Sequence, residues 1–279
     1  MQAVKEMEVG LMFWAGPDAA AVLREVKALG IRCWQLGVPG DLPLDGAAPR
    51  WKAALQREQF HLTTVFAAYR GESYADVPTV QRTVGFIPQA TRGEREARTL
   101  EVIDFGAAIG VGSFACHIGF VPEDTAHPDY IAVREMVRRI CDHAAKHGMT
   151  FALETGQEPA HVLREFLHDV GRPNIGINFD PANMILYGTG DPIEALGILG
   201  PHVLSVHCKD GDWPPKDNPA ALGTEQPLGR GSVGMERYIR KLKEIGYRGP
   251  LNIEREIEDR EQQKRDILMG KELLQRLTG

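Results

Sequence analysis

Short apolar runs alternate with longer amphipathic segments along the whole 279-residue chain. Eight of the runs have the length and composition of strands: "VGLMFW" from Val9, "IRCWQL" from Ile31, "HLTTVF" from His61, "SFACHI" from Ser113, "MTFALE" from Met149, "IGINFD" from Ile175, "VLSVHC" from Val203 and "LNIE" from Leu251. Most are near-continuous in apolar residues rather than alternating, which predicts parallel strands covered on both faces. The amphipathic segments carry helix punctuation. "PDAAAVLREVKALG" opens on Pro17-Asp18 and ends at Gly30, "AVREMVRRICDHAAKHG" ends at Gly148, and "MERYIRKLKEIG" ends at Gly246. A last helix, "EQQKRDILMGKELLQRL", closes the chain.

Eight strand–helix alternations predict an α/β fold, a (β/α)8 TIM barrel forming a single domain over residues 1–279. A doubly wound sheet is the competing architecture, but Ala15-Gly16-Pro17 follows the first strand where a Gly-rich phosphate turn would stand. The longest irregular stretch, "AAYRGESYADVPTVQRTVGFIPQA" after the third strand, is expected to be an active-site lid or an interface arm.

Composition narrows the function classes. The chain is 43% hydrophobic and 25% charged, as in ordinary folded proteins, and its net charge of −6 with no long basic run argues against a nucleic-acid partner. Cys33, Cys116, Cys141 and Cys208 are widely spaced with no CxxC pair, so free buried thiols are expected rather than disulfides. The segment "MQAVKEMEVGLMFW" lacks the pattern of a secretory leader, and no apolar run approaches the ~20 residues of a membrane span. The expectation is a soluble, cytoplasmic protein.

In a barrel of this kind the chemistry collects at the C-terminal ends of the strands. Those ends are Trp14, Gln35, Phe66, His117, Glu154, Asp180, His207 and Glu254. The last four close four successive strands and so converge on one axis. Three carboxylates there repel one another by several kcal/mol at ~4 Å, a problem that a divalent cation removes. The mixed Glu/Asp/His set suits Mn²⁺, Mg²⁺, Co²⁺ or Zn²⁺ rather than a soft-thiolate metal. Any one of these residues alone would be read as a turn or a satisfied polar group, and Asp180-Pro181 is an ordinary turn starter. The set of four carries the metal reading. Cys208, next to His207, should point away from the axis.

"FALETG", "INFDPANM", "SVHCKD" and "LNIERE", in this order, resemble the xylose-isomerase-like TIM-barrel superfamily, which includes sugar-phosphate isomerases and epimerases, ketose 3-epimerases and inosose dehydratases. "GESYAD", "CHIGFVP" and "PLGRGSVG" extend the likeness over nearly the whole chain. The resemblance implies that Glu154, Asp180, His207 and Glu254 bind one divalent metal and that Glu154 and Glu254 also move protons. The implied activity is a metal-dependent isomerase or epimerase of a keto-sugar or related polyol, working through a metal-stabilised enediolate. Dehydration of a keto-cyclitol or keto-sugar shares its first step and is the alternative. A non-catalytic sugar-binding barrel is a third reading, opposed by the presence of both glutamates.

Further residues are candidates for contacting substrate. His117 and Lys209 could meet substrate oxygens, Arg230 an anionic group, and Trp14 and Phe66 a sugar face, each against the competing role of a core or loop residue. Arg255 and Trp213 are weaker candidates. His143, His147, His161 and His168 lie on helix patterns and receive no role. Asn183 stands where ketose 3-epimerases and apurinic endonucleases of the superfamily often carry histidine. It removes a possible second-metal ligand and leaves a donor and an acceptor for substrate hydroxyls. It also weakens both the nuclease reading and a strict 3-epimerase reading. The expected partner is a small sugar or polyol, and assembly into a homodimer or homotetramer is expected.

Overall fold

A computed structural model describes residues 6–31, 33–218 and 220–279. The first five residues of the N-terminal segment, and Arg32 in the second apolar run, lie outside the described residues. Eight parallel strands close into a barrel: β1 (Val9–Trp14), β2 (Cys33–Val38), β3 (His61–Ala67), β4 (Ser113–Cys116), β5 (Thr150–Glu154), β6 (Ile175–Phe179), β7 (Val203–Cys208) and, after the small antiparallel pair β8 (Asp210–Asp212) and β9 (Thr224–Gln226), β10 (Leu251–Ile253). Each barrel strand pairs with its neighbour in the sequence, and β1 pairs with both β2 and β10 to close the ring.

The helices are α1 (Ala19–Lys27), α2 (Ala47–Glu58), α3 (Val77–Thr83), α4 (Arg92–Ile109), α5 (Pro128–Lys146), α6 (Ala160–Val170), α7 (Pro181–Tyr187), α8 (Pro192–Leu199), α9 (Met235–Glu244) and α10 (Arg260–Thr278). The predicted punctuation operates as chemistry. Asp18 caps α1 by accepting hydrogen bonds from Ala20 N–H at 2.9 Å and Ala21 N–H at 3.1 Å. Asp76, Asp191 and Asp259 cap α3, α8 and α10 in the same way. Among the described residues, no helix is long and apolar enough to cross a membrane.

The main core lies between strands and helices, where outward-facing Leu36, Phe114, Phe151, Ile177 and Cys208 pack against the helical ring. Cys208 therefore does point away from the barrel axis. All four cysteines are free and buried. Inside the barrel a small apolar group, Met12, Phe66, Ala115 and Ala152, is separate from that core. The rest of the interior is polar: Gln35, Asn178, Ser205 and Asn252 are buried there, so the strands are less uniformly apolar than their sequences suggest.

Three boundaries bear on the site. β4 ends at Cys116, β6 at Phe179 and β10 at Ile253, each short of its predicted end. His117, Asp180 and Glu254 therefore stand just past the last ladder residue, where a side chain reaches into the mouth. The long stretch after β3 is not wholly irregular, because it contains α3. Buried Arg95 of α4 fastens this stretch, donating to the carbonyls of Gly85, Thr83 and Arg70.

Candidate metal centre and its surroundings

The two carboxylate oxygens of Asp180 stand in different surroundings, one that suits a turn residue and one that leaves room for a ligand role. Oδ1 accepts from the backbone N–H of Asn183 at 2.9 Å and caps α7, as an aspartate ahead of a first-turn proline should. Oδ2 is buried and has no hydrogen-bond partner. The backbone around it is held by Thr155, whose hydroxyl accepts from Asp180 N–H at 2.7 Å and donates to its carbonyl at 3.1 Å. Gly156, at φ +135°, lets the β5 loop pass so close to α7 that an added Cβ would lie 2.4 Å from the Asn183 Cβ.

His207 lies at the centre of the group with a fully buried side chain. Its Nδ1 is 3.0 Å from Glu154 Oε1, 3.3 Å from Glu254 Oε2 and 3.4 Å from Asp180 Oδ2, yet it makes no hydrogen bond of acceptable geometry. Its other nitrogen, Nε2, is 2.7 Å from Gln35 Oε1. Because an amide oxygen only accepts, Nε2 carries a ring proton, and Nδ1 is the nitrogen that faces the three carboxylates and can offer a metal-binding lone pair when the ring is neutral. Gln35 in turn donates to Asn178 Oδ1 at 3.0 Å, Ser205 donates to the same oxygen, and Asn178 donates to Glu154 Oε2.

A ring nitrogen and a carboxylate oxygen that are both buried without a hydrogen-bond partner are costly unless positive charge lies between them. One ligand atom from each of Glu154, Asp180, His207 and Glu254 falls within 4.8 Å of the others. The donor set, three oxygens and one imidazole nitrogen with its far nitrogen anchored by an amide, fits a divalent metal. From the protein's own charges, burial opposes a charge on His207, but Glu154 and Glu254 outweigh it and raise the ring well above its ordinary pKa. Burial, reinforced by Asp180 and Glu254, lifts Glu154 to about 7. For Glu254 burial is outweighed by His207 and Lys209, which hold it well below the usual carboxylate range. The three acids thus create a demand for positive charge at the point where Nδ1 looks.

The remaining candidates are placed as follows. Lys209 is 4% exposed, and its ammonium bridges Glu254 at 3.0 Å and Glu256 at 2.6 Å. Asn183 donates to Glu154 Oε1 at 3.4 Å, so its amide faces the glutamate. The His117 ring lies 5.9 Å from that of Phe66 and 5.9 Å from that of Tyr74, with Nδ1 3.3 Å from Gln157 Nε2. Burial depresses His117 to about 3, leaving a neutral imidazole. Phe66 is also 6.0 Å from the His207 ring. Trp14 is 37% exposed at the mouth and packs over Gly37, where an added Cβ would meet its ring at 2.5 Å. Arg230 and Trp213 are exposed on the β8–β9 side, and the Arg230 side chain makes no hydrogen bond or ion pair among the described residues. Arg255 points elsewhere, pairing with Glu225 and Asp266 at 2.8 Å each.

Gln35 was visible as a strand end but carried no assigned role, while Asn178, Ser205, Gln157, Tyr74 and Glu256 were passed over. A signal for three inward positions was present. Asn178, Ser205 and Asn252 each stand two residues before Asp180, His207 and Glu254, and strand alternation puts residues two apart on one face.

The family model described as xylose isomerase-like TIM barrel matches residues 23–276. A crystal structure of a xylose isomerase domain protein from Planctomyces limnophilus is 43% identical, with a TM-score of 0.91 over 98% of this chain and 97% of that one. D-psicose 3-epimerase, crystallised in the presence of D-fructose, is 16% identical with a TM-score of 0.70 over 98% of this chain and 100% of its own. The probable 3-DHS dehydratase AsbF from Bacillus anthracis is 16% identical with a TM-score of 0.69, over 96% of this chain and 99% of its own. At that identity the last two share the fold. An uncharacterized protein from Methanocaldococcus jannaschii is 26% identical over 170 residues, 57% of this chain and 53% of that relative, so the match spans about half the relative's length.

Proposed function

The chain belongs to the xylose isomerase-like TIM barrel family, and on that premise we propose that it is a divalent-metal-dependent isomerase or epimerase of a keto-sugar or related polyol. One observation carries the reading: His207 Nδ1 and Asp180 Oδ2 are buried without hydrogen-bond partners among the carboxylates of Glu154 and Glu254. Glu154, Asp180, His207 and Glu254 would hold the ion, Mn²⁺ in the first instance. When bound, such an ion polarises a substrate carbonyl and stabilises the negative charge that develops on its oxygen.

The chain's own residues account for the rest. Glu154 ends β5 and Glu254 follows β10, strands separated around the ring by β6 and β7, so the two approach the centre from different sides. One removes a proton from the carbon beside the carbonyl and the other delivers one. Delivery to the opposite face of the same carbon epimerises it, and delivery to the neighbouring carbon interconverts ketose and aldose. Asn178 and Asn183 orient Glu154 through its two oxygens, while Lys209 orients Glu254. Neutral His117 offers a hydrogen bond to a substrate hydroxyl, and Phe66 and Trp14 give an apolar wall for a sugar's C–H face. Arg230, exposed beside the mouth, is placed to meet a polar end of the substrate.

The test is a screen of free ketoses, inososes, keto-glycosides and their phosphates with the Mn²⁺-loaded protein in D₂O, followed by NMR. Deuterium should enter the carbon beside the carbonyl, with an epimer or isomer accumulating, and Glu154→Gln should abolish both. An unsaturated product would assign dehydration instead. If no compound exchanges while a polyol still raises the melting temperature, the chain is a sugar-binding barrel and the catalytic reading fails.

A further inference from the structure

A second group of metal-type side chains lies where α4 and α5 meet on the outside of the barrel. Asp104 comes from the last turns of α4, and His143 and His147 lie one turn apart at the C-terminal end of α5. His147 stands just ahead of β5, so the group is at the end of the barrel opposite the mouth. Residues four apart on a helix share one face, and both rings use it to reach the same atom. His143 Nε2 is 2.7 Å and His147 Nε2 3.0 Å from Asp104 Oδ1, with ring centroids 5.4 Å apart.

The carboxylate only accepts, so without an ion each imidazole aims an Nε2–H at that single oxygen. Among the described residues, the two histidines are the ion-pair partners of Asp104. The nearest arginine along that helix face, Arg139, is engaged by Glu96 at 2.7 and 2.8 Å. The three ligand atoms lie within 4.8 Å of one another. Tetrahedral zinc with bonds of about 2.0–2.1 Å spaces its ligand atoms about 3.3 Å apart, so the two nitrogen–oxygen distances need open only by about half an ångström. The side chains of His143 and His147 are 21% and 35% exposed, which leaves the outer side open to water ligands.

We propose that Asp104, His143 and His147 form a second divalent-cation site, one that takes imidazole-preferring ions of the Zn²⁺ type and clips α4 to α5. Two imidazoles and one carboxylate select such ions over Mg²⁺ or Ca²⁺, in contrast with the oxygen-rich mouth. The clip ties residues 39 and 43 positions apart in sequence, and any ion that binds only the folded state raises its stability. The site is independent of the function proposed for the mouth.

The experiment titrates the metal-stripped full chain with Zn²⁺ against a chromogenic chelator, comparing wild type with His143→Ala/His147→Ala and with Asp104→Asn. Wild type should take up two equivalents and the double variant one, with Asp104→Asn at least tenfold weaker at the second equivalent. In an Asp180→Asn background, which removes one of the four mouth ligands, Zn²⁺ should still raise the melting temperature, and adding His143→Ala should reduce that rise. Equal Zn²⁺ stoichiometry in wild type and the double variant, with matching metal-free melting temperatures, would overturn the proposal. So would a Zn²⁺-induced rise in the Asp180→Asn background that His143→Ala leaves undiminished.

Discussion

Replacing Gln35 by leucine tests how the interior of the barrel prepares His207 for a metal. In the wild-type chain the 2.7 Å contact between His207 Nε2–H and Gln35 Oε1 is fully buried, and it fixes the tautomer that turns the Nδ1 lone pair toward the carboxylates. Leucine conserves much of the volume but offers no acceptor. The ring then gains by placing its proton on Nδ1, which lies 3.0 Å from Glu154 Oε1 and 3.3 Å from Glu254 Oε2. An ion that takes Nδ1 then leaves a buried Nε2–H unpaired, which does not happen in wild type, a penalty of about 1–3 kcal/mol. Loss of such an anchoring partner weakens metal binding by about 10- to 100-fold, or about 1.4–2.7 kcal/mol. Asn178 keeps its contacts with Ser205 and Glu154, so the perturbation stays on the histidine. Mn²⁺ affinity measured by chelator competition should fall by that factor in Gln35→Leu. A folded Gln35→Leu protein with wild-type affinity would refute the tautomer argument.

Two further outcomes are expected. Glu158 is 3% exposed, accepts from Val121 N–H at 3.1 Å, and has its second oxygen buried without a partner; burial lifts it to about 8. Its folded pKa is raised, so the folded state holds a proton that the unfolded chain releases near 4.5, and stability falls as pH rises from about 4.5 to 8. The full span is worth at most about 4–5 kcal/mol, so Glu158→Gln should become more stable than wild type by a growing margin between pH 5.5 and 8.5 in urea unfolding. A margin that does not change with pH would contradict this assignment. Arg95→Met removes the donor that holds the carbonyls of Gly85, Thr83 and Arg70, and should cost about 2–4 kcal/mol. It should also speed hydrogen exchange across residues 70–87; a loss under about 1 kcal/mol with unchanged exchange would show the loop is held by other contacts.

The barrel was legible because each strand is a short apolar run and each helix has a chemical start or stop, Asp18 and Gly30 being one such pair. The four convergent residues were legible because strand ends in this architecture share an axis. What escaped notice had weaker signals. The β8–β9 hairpin is built from Asp-Gly-Asp and Thr-Glu-Gln, with no apolar alternation to mark it. Its neighbourhood is ordered by the Asp210 carboxylate, which collects the N–H groups of Gly211, Gly229 and Val233. Helix α3 is too short to show a period, although Asp76 and Pro78 mark its start. The division of labour between the two oxygens of Asp180 is a matter of geometry that no residue pattern encodes. The polar ladder of Gln35, Asn178 and Ser205 was hidden by treating buried strands as uniformly apolar.

The proposed function requires a divalent ion bound by His207 through Nδ1 together with Glu154, Asp180 and Glu254. Anomalous diffraction from crystals of the full chain loaded with Mn²⁺ tests it directly. The predicted result is one strong peak at the barrel mouth within bonding distance of Nδ1 and of an oxygen from each of the three acids, with Nε2 still on Gln35. A peak bound through Nε2, or strong density elsewhere with the four side chains unligated, would contradict the account.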